Sequence, residues 1–265
     1  MSNIPHKPIA NTGLEVSMLG LGTVKFGRNE DVKYPEHFEI PDDQQVLALL
    51  SQAHDAGINL LDTAPAYGTA QQRLGELVGN SEDWLICSKV GERFVNGVSE
   101  YIYTEAETRQ TVENSLRELN RDVLDIVLIH SDGDDMHVLQ ETDVMETLLR
   151  LKEEGKIRAT GISSKTVEGG LLALQHLDVV MCMYNLLEVN ELPVIKAASE
   201  QGKGIFVKKG LMSGHLGKAE QDNPLLASYQ HVFAQTGVSS MIVGTINPKH
   251  LAQNIETLLQ VIYAG

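Results

Sequence analysis

Four residues in the first half of the chain carry side chains able to do proton chemistry together: Asp62, Tyr67, Lys89 and His130. Asp62 sits inside INLLDTA (58–64), a run that otherwise reads as a buried strand. A carboxylate is costly to bury there unless a cation meets it. Lys89 stands near the end of WLICSKV (84–90), His130 near the end of LDIVLIHS (124–131), and Tyr67 follows Asp62 by five positions. Brought together, Lys89 would neutralise Asp62 and favour the phenolate of Tyr67, lowering a pKa that is ordinarily about 10. Tyr67 would then donate a proton to a developing alkoxide while His130 orients the carbonyl oxygen. None of the four is an activated nucleophile, and they are no usual metal set. Protonating an alkoxide fits hydride transfer to a carbonyl, which needs an external hydride source.

The elements that would position these residues follow from the period of the sequence. Eight short β-type runs (17–24, 58–64, 84–90, 124–131, 158–164, 179–185, 204–210 and 239–245) alternate with segments apolar at i, i+3, i+4 and i+7, such as Val46, Leu49, Leu50 and Ala53. Thr104 is an expected N-cap, and Gly57, Gly155, Gly202 and Gly237 are expected left-handed C-caps. Strict alternation calls for a parallel sheet, and eight units in 265 residues favour an α/β fold, a single (β/α)8 TIM barrel over 1–265. KPIANTGLEVS reads as an N-terminal β-hairpin covering the barrel floor. Period 2 puts Leu60 with Asp62, Cys87 with Lys89 and Leu128 with His130 on shared faces. If those faces point inward, the four side chains meet at the C-terminal mouth.

Composition narrows the partners. A formal charge of -15 without a Lys/Arg cluster argues against nucleic acid and anionic membranes. No apolar run reaches membrane length, and the start of the chain does not read as a signal peptide, so the expectation is a cytoplasmic protein. Cys87 and Cys182 lie inside apolar runs and read as reduced core thiols. The oligomeric state stays open, a monomer included.

These residues closely resemble the aldo-keto reductases, in particular a short, bacterial-type member. GLGTVKFG (20–27) is similar to that family's first-strand motif, DTAPAYG (62–68) to its Asp/Tyr signature, SKVG (88–91) to its lysine strand and LIHSD (128–132) to its histidine strand. The likeness continues through LKEEGKIRATGIS (151–163), YNLLE (184–188) and VGTINPKHLAQN (243–254). It implies Tyr67 as general acid, tuned by Lys89 and Asp62, with His130 positioning a small carbonyl or alcohol substrate. It also implies NADP(H) or NAD(H) lying extended across the barrel mouth, NADP(H) being favoured.

The same resemblance assigns cofactor contacts. Gly22 and Thr23 match the first-strand contact, with Asp62 beside them and Val24 on the substrate side together with Ser131. Ser163 matches a serine that holds the nicotinamide amide, but Ser164 replaces the usual Asn and Met181 the usual Gln. Lys208 replaces the aromatic residue that stacks on the ring; its stem would cover the ring, or Lys208 or Lys209 would reach the pyrophosphate. Leu211, Ser213, Gly244 and Thr245 fall in the flanking cofactor segments. Asn247 stands where many members carry a base, leaving Lys249 and His250 as candidates for a 2′-phosphate, and Gln253 and Asn254 match adenine contacts.

On the substrate side, loop 131–143 carries five acids and no aromatic residue, and the carboxyl tail VIYAG follows the last helix closely. Both lead to the expectation of an open site without an aromatic pocket, disfavouring anions. Two other readings stay open. One is a nicotinamide-binding sensor or regulatory subunit with low turnover. The other is a phosphate-binding isomerase or lyase on the same barrel, for which KKGLMSGHLG is a faint cradle but Tyr67 has no role.

Overall fold

The structure, a computed structural model, describes residues 3–32, 34–35 and 37–263; part of the VIYAG tail lies outside them. β1 (His6–Ile9) and β2 (Leu14–Ser17) form the expected antiparallel hairpin. The eight runs become β3 (Leu19–Gly22), β4 (Leu60–Asp62), β5 (Leu85–Val90), β8 (Leu124–His130), β9 (Ile157–Ser163), β10 (Val179–Met183), β11 (Gly204–Lys208) and β12 (Ser240–Val243). All pair in parallel and close into a barrel, with β12 beside β3 and β9 beside β10. Between β5 and β8 lies a second hairpin, β6 (Glu92–Val95) and β7 (Val98–Tyr101), which the sequence reading did not anticipate.

Helices α1 (Asp43–Asp55), α2 (Ala70–Leu77), α3 (Glu105–Glu118), α4 (Asp135–Gln140), α5 (Val144–Glu153), α6 (Val167–His176), α7 (Leu192–Gln201), α8 (Pro224–Phe233) and α9 (Pro248–Tyr263) surround the strands. Local chemistry fixes their ends. Asp42 and Gln45 close a capping box on α1, and Thr104 accepts from the Glu107 N–H at the start of α3. Gly57, Gly155 and Gly202 have positive φ, as expected, whereas Gly237 does not. The reason Gly237 lacks a side chain is close packing: a Cβ there would stand 2.5 Å from the Ile195 carbonyl oxygen.

Side chains alternate between two cores. Leu60, Cys87, Leu128, Met181 and Phe206 fill the barrel interior, and Ile9, Leu14 and Val16 of the first hairpin close its floor. Their period-2 partners, among them Leu61, Ile86, Val127 and Cys182, pack outward against the apolar helix stripes. Both cysteines are buried and free. With Leu60, Cys87 and Leu128 facing inward, the side chains two positions on face the C-terminal mouth. Among the described residues no helix is long and apolar enough to cross a membrane.

Candidate active site

The expected convergence is present. Lys89 Nζ donates to Asp62 Oδ1 at 2.5 Å and to the Thr63 carbonyl at 3.0 Å, both side chains being buried. The ammonium lies 4.8 Å from the centre of the Tyr67 ring, and that ring meets His130 edge-on, with centroids 6.4 Å apart. Burial opposes the charge on Lys89, but Asp62 holds it protonated above its ordinary range. Tyr67 corrects the sequence expectation: burial pushes the phenol above its usual value, outweighing the opposing pull of Lys89. Burial therefore favours the protonated phenol over the phenolate.

The loop that presents Tyr67 is clamped backbone to backbone. Thr23 donates both its N–H and its hydroxyl to the Asp62 carbonyl. A Cβ on Gly68, whose φ is +62°, would stand 2.1 Å from the Gly27 carbonyl oxygen, so the two loops meet only where side chains are missing. Arg28 ties the arrangement together, donating to the Ala66 carbonyl at 3.0 Å while its guanidinium stacks 3.3 Å from the Phe94 ring. Replacing Gly68 by Ala is expected to cost about 2–4 kcal/mol through left-handed strain and the clash, and to lower turnover by displacing Tyr67. Chemical denaturation and steady-state kinetics on the variant check both effects.

The mouth opens into a cleft of about 960 Å³, at the upper end of the size range for a small-molecule or cofactor site. It is lined by Gly22, Thr23, Val24, Asp62, Tyr67, Lys89, His130, Ser163, Ser164, Lys208, Leu211, Ser213, Gly244, Thr245, Gln253 and Asn254, all anticipated from the sequence. His250 lines it as well, at the start of α9. Several of these residues are arranged differently from the expectation. Lys208 lines the cleft with its ammonium already engaged, donating to Ser163 Oγ at 2.8 Å and to the Ser164 carbonyl at 2.6 Å. Burial pushes its pKa down to about 8, with Glu191 opposing. Ser164 turns its hydroxyl to Glu191 at 2.7 Å. The Asn254 amide is held by the Tyr229 hydroxyl and the His250 carbonyl.

Three anticipated residues, Ser131, Asn247 and Lys249, are not lining residues. Ser131 is fully buried and donates to Asp135, which itself accepts from the Lys165 and Thr166 N–H groups. Asn247 caps the Lys249 N–H at 2.9 Å. Of the five acids in loop 131–143, Asp135 is a buried tie between loops. The expectation of no aromatic pocket is also corrected: Tyr34 and Tyr101 line the cleft beside Tyr67.

The sequence reading missed Glu92, Ser99 and Tyr101, which enter the cleft on the β6–β7 hairpin. The available signal was Val95-Asn96-Gly97-Val98, an Asn-Gly pair between β-branched residues; both turn residues have positive φ. Glu92 Oε2 lies 2.6 Å from His130 Nδ1.

A nicotinamide dinucleotide fits these surroundings. Gly22 and Gly244 lie on the cleft wall, and His250, Gln253 and Asn254 bring the first turns of α9 to its edge. Gly244 has the Tyr34 hydroxyl 2.7 Å from where a Cβ would be, so the segment after β3 folds over that wall.

Fold and mouth together define a (β/α)8 barrel with its polar constellation at the C-terminal ends of the strands, where such barrels place their chemistry. The sequence profile of the aldo/keto reductase family matches residues 18–227, and the chain belongs to that family. It is an oxidoreductase of the NAD(P)H-dependent aldo-keto reductase class. Among its relatives is the aldo-keto reductase YhdN of Bacillus subtilis, 31% identical over 190 residues, which are 69% of this chain and 54% of YhdN. The chain thus spans about half the length of that relative. The NADH-specific methylglyoxal reductase of Escherichia coli is 24% identical over 95% of this chain and 92% of its own. The crystal structure of PA4992 from Pseudomonas aeruginosa superposes with a TM-score of 0.88 at 50% identity, covering 97% of this chain and 96% of that one.

Proposed function

We propose that the protein reduces the carbonyl of a small aldehyde, ketone or sugar, with Tyr67 as general acid and NADPH preferred over NADH. The observation that carries this reading is the buried Asp62–Lys89 pair set against Tyr67 at the mouth, with His130 on the other side of the phenol. Asp62 fixes the ammonium, and the ammonium faces the ring whose hydroxyl is to give up a proton. The carbonyl oxygen lodges between the Tyr67 hydroxyl and the His130 ring, which orient it and stabilise the charge that develops there. The bound cofactor supplies the hydride. Gly22, Gly244 and the start of α9 would hold it, with Ser163 at the inner end, where Lys208 already supplies a cation.

His250 at the cleft and the helix start favour a 2′-phosphate, whereas Asn247 offers no charge to one. The cofactor test is therefore a calorimetric titration with NADPH and, separately, NADH. Tighter binding of NADPH is expected, weakened by His250→Ala. A preference for NADH would overturn the phosphate reading, and binding of neither would overturn the reductase reading.

A further inference from the structure

We infer that Glu92 is a positioning residue for His130: it fixes the ring with Nε2 toward the cleft and lets it carry a proton on both nitrogens, so that Nε2–H donates to the substrate carbonyl oxygen. This inference rests on the reductase reading above. The step keeps its balance, because Tyr67 supplies the transferred proton and His130 retains its own.

The geometry is specific. Glu92 stands at the first position of β6, with Oε2 2.6 Å from His130 Nδ1. Its other oxygen accepts from Ser99 Oγ at 2.6 Å across the hairpin, which keeps the carboxylate from swinging away. His130 Nδ1 is shut off from solvent, and its 2.6 Å contact with Glu92 Oε2 is a close approach that lacks the alignment of a hydrogen bond. Because Nδ1 is enclosed while His130 lines the cleft, Nε2 is the nitrogen that faces substrate.

The groups around His130 pull its protonation in opposite senses. Burial works against the Glu92 anion, but the close approach of His130 and the Ser99 hydrogen bond, with Arg28 nearby, hold its carboxyl at about 2. Glu92 is thus ionised at any working pH. Burial lowers the pKa of His130, and Lys89 from β5 and Lys208 from β11 add to that; Glu92 alone opposes them among its causes. The Tyr67 ring packs edge-on, and the Tyr103 hydroxyl donates to the backbone carbonyl of His130, not to its ring. A charged N–H donor gives a hydrogen bond roughly twice as strong as a neutral one, and the benefit grows as charge builds on the carbonyl oxygen.

The sign follows. The doubly protonated ring is the form that assists reduction, so kcat/KM for the carbonyl falls as pH rises through the His130 midpoint. Removing the charge of Glu92 lowers that midpoint and starts the fall at lower pH. The test compares wild type, Glu92→Gln and Glu92→Asp in two measurements. One is an NMR titration of the His130 ring without cofactor, assigned by its loss in His130→Asn. The other is the pH profile of kcat/KM for reduction.

In Glu92→Gln the NMR midpoint and the kinetic limb should both move down by about one pH unit, and Glu92→Asp should restore most of both. Calorimetric binding of the cofactor to Glu92→Gln should match wild type, which separates this effect from misfolding. An unchanged midpoint in Glu92→Gln, or a shifted midpoint with a fixed kinetic limb, would overturn the inference. Absence of nicotinamide binding in wild type would overturn the reductase reading instead, and the NMR midpoint would still decide the Glu92–His130 pairing.

Discussion

Tyr67→Phe is expected to lower kcat/KM for carbonyl reduction by about 10²–10⁴-fold while leaving cofactor affinity and fold intact. The substitution removes only the hydroxyl. Lys89 keeps Asp62 and the Thr63 carbonyl as partners, so no buried charge is stranded. The ring keeps its edge-on contact with His130, and the stability change should stay near 1 kcal/mol. Residual activity is expected to come from His130 and from substrate binding, as positioning alone contributes to rate. Tyr34→Phe is the matched control. Its phenol also lines the cleft, stands 2.7 Å from where a Gly244 Cβ would be, and is pushed up to about 12 by burial and by Asp62. Loss of reduction in Tyr67→Phe but not in Tyr34→Phe would assign the proton to Tyr67. Intact reduction in Tyr67→Phe would remove it from the mechanism.

The division between what sequence showed and what it hid has a physical basis. Asp62, Lys89 and His130 were legible because each interrupts an apolar run at its C-terminal end, and strand alternation then dictates the direction of the side chain. The barrel was legible for the same reason: eight apolar runs alternating with amphipathic segments leave few closed arrangements. What sequence could not show were contacts set by where loops fold. Glu92 sits two residues past the end of its run, and nothing local indicates that the Asn96-Gly97 turn folds it back onto His130 from a different strand. Likewise, nothing in the β11 run shows that β9 brings Ser163 and the Ser164 carbonyl to the Lys208 ammonium. The sign of the Tyr67 shift was hidden too, because it depends on burial, and a lysine on the next strand says nothing about how deeply the phenol is enclosed.

Breaking the Asp62–Lys89 pair should be the most destabilising change at the site. Lys89→Met leaves a buried carboxylate without its cation, which costs about 3–5 kcal/mol and lowers Tm by about 10 °C at this chain length. The deficit has a definite pH dependence. Burial penalises an unpaired carboxylate only in its ionised form. Stability contributed by such a group is present at low pH and lost as pH rises. Thermal unfolding of Lys89→Met should therefore deviate more from wild type at pH 8 than at pH 5. Asp62→Asn/Lys89→Met removes both charges together and should recover most of the lost stability, since a buried ion pair contributes little net stability over a neutral pair of similar volume. Activity should not return with it, because the ammonium facing Tyr67 is gone. Recovery of stability without recovery of turnover would show that the pair is kept for chemistry at the barrel mouth; a double variant as unstable as Lys89→Met would show that the pair is required for the fold.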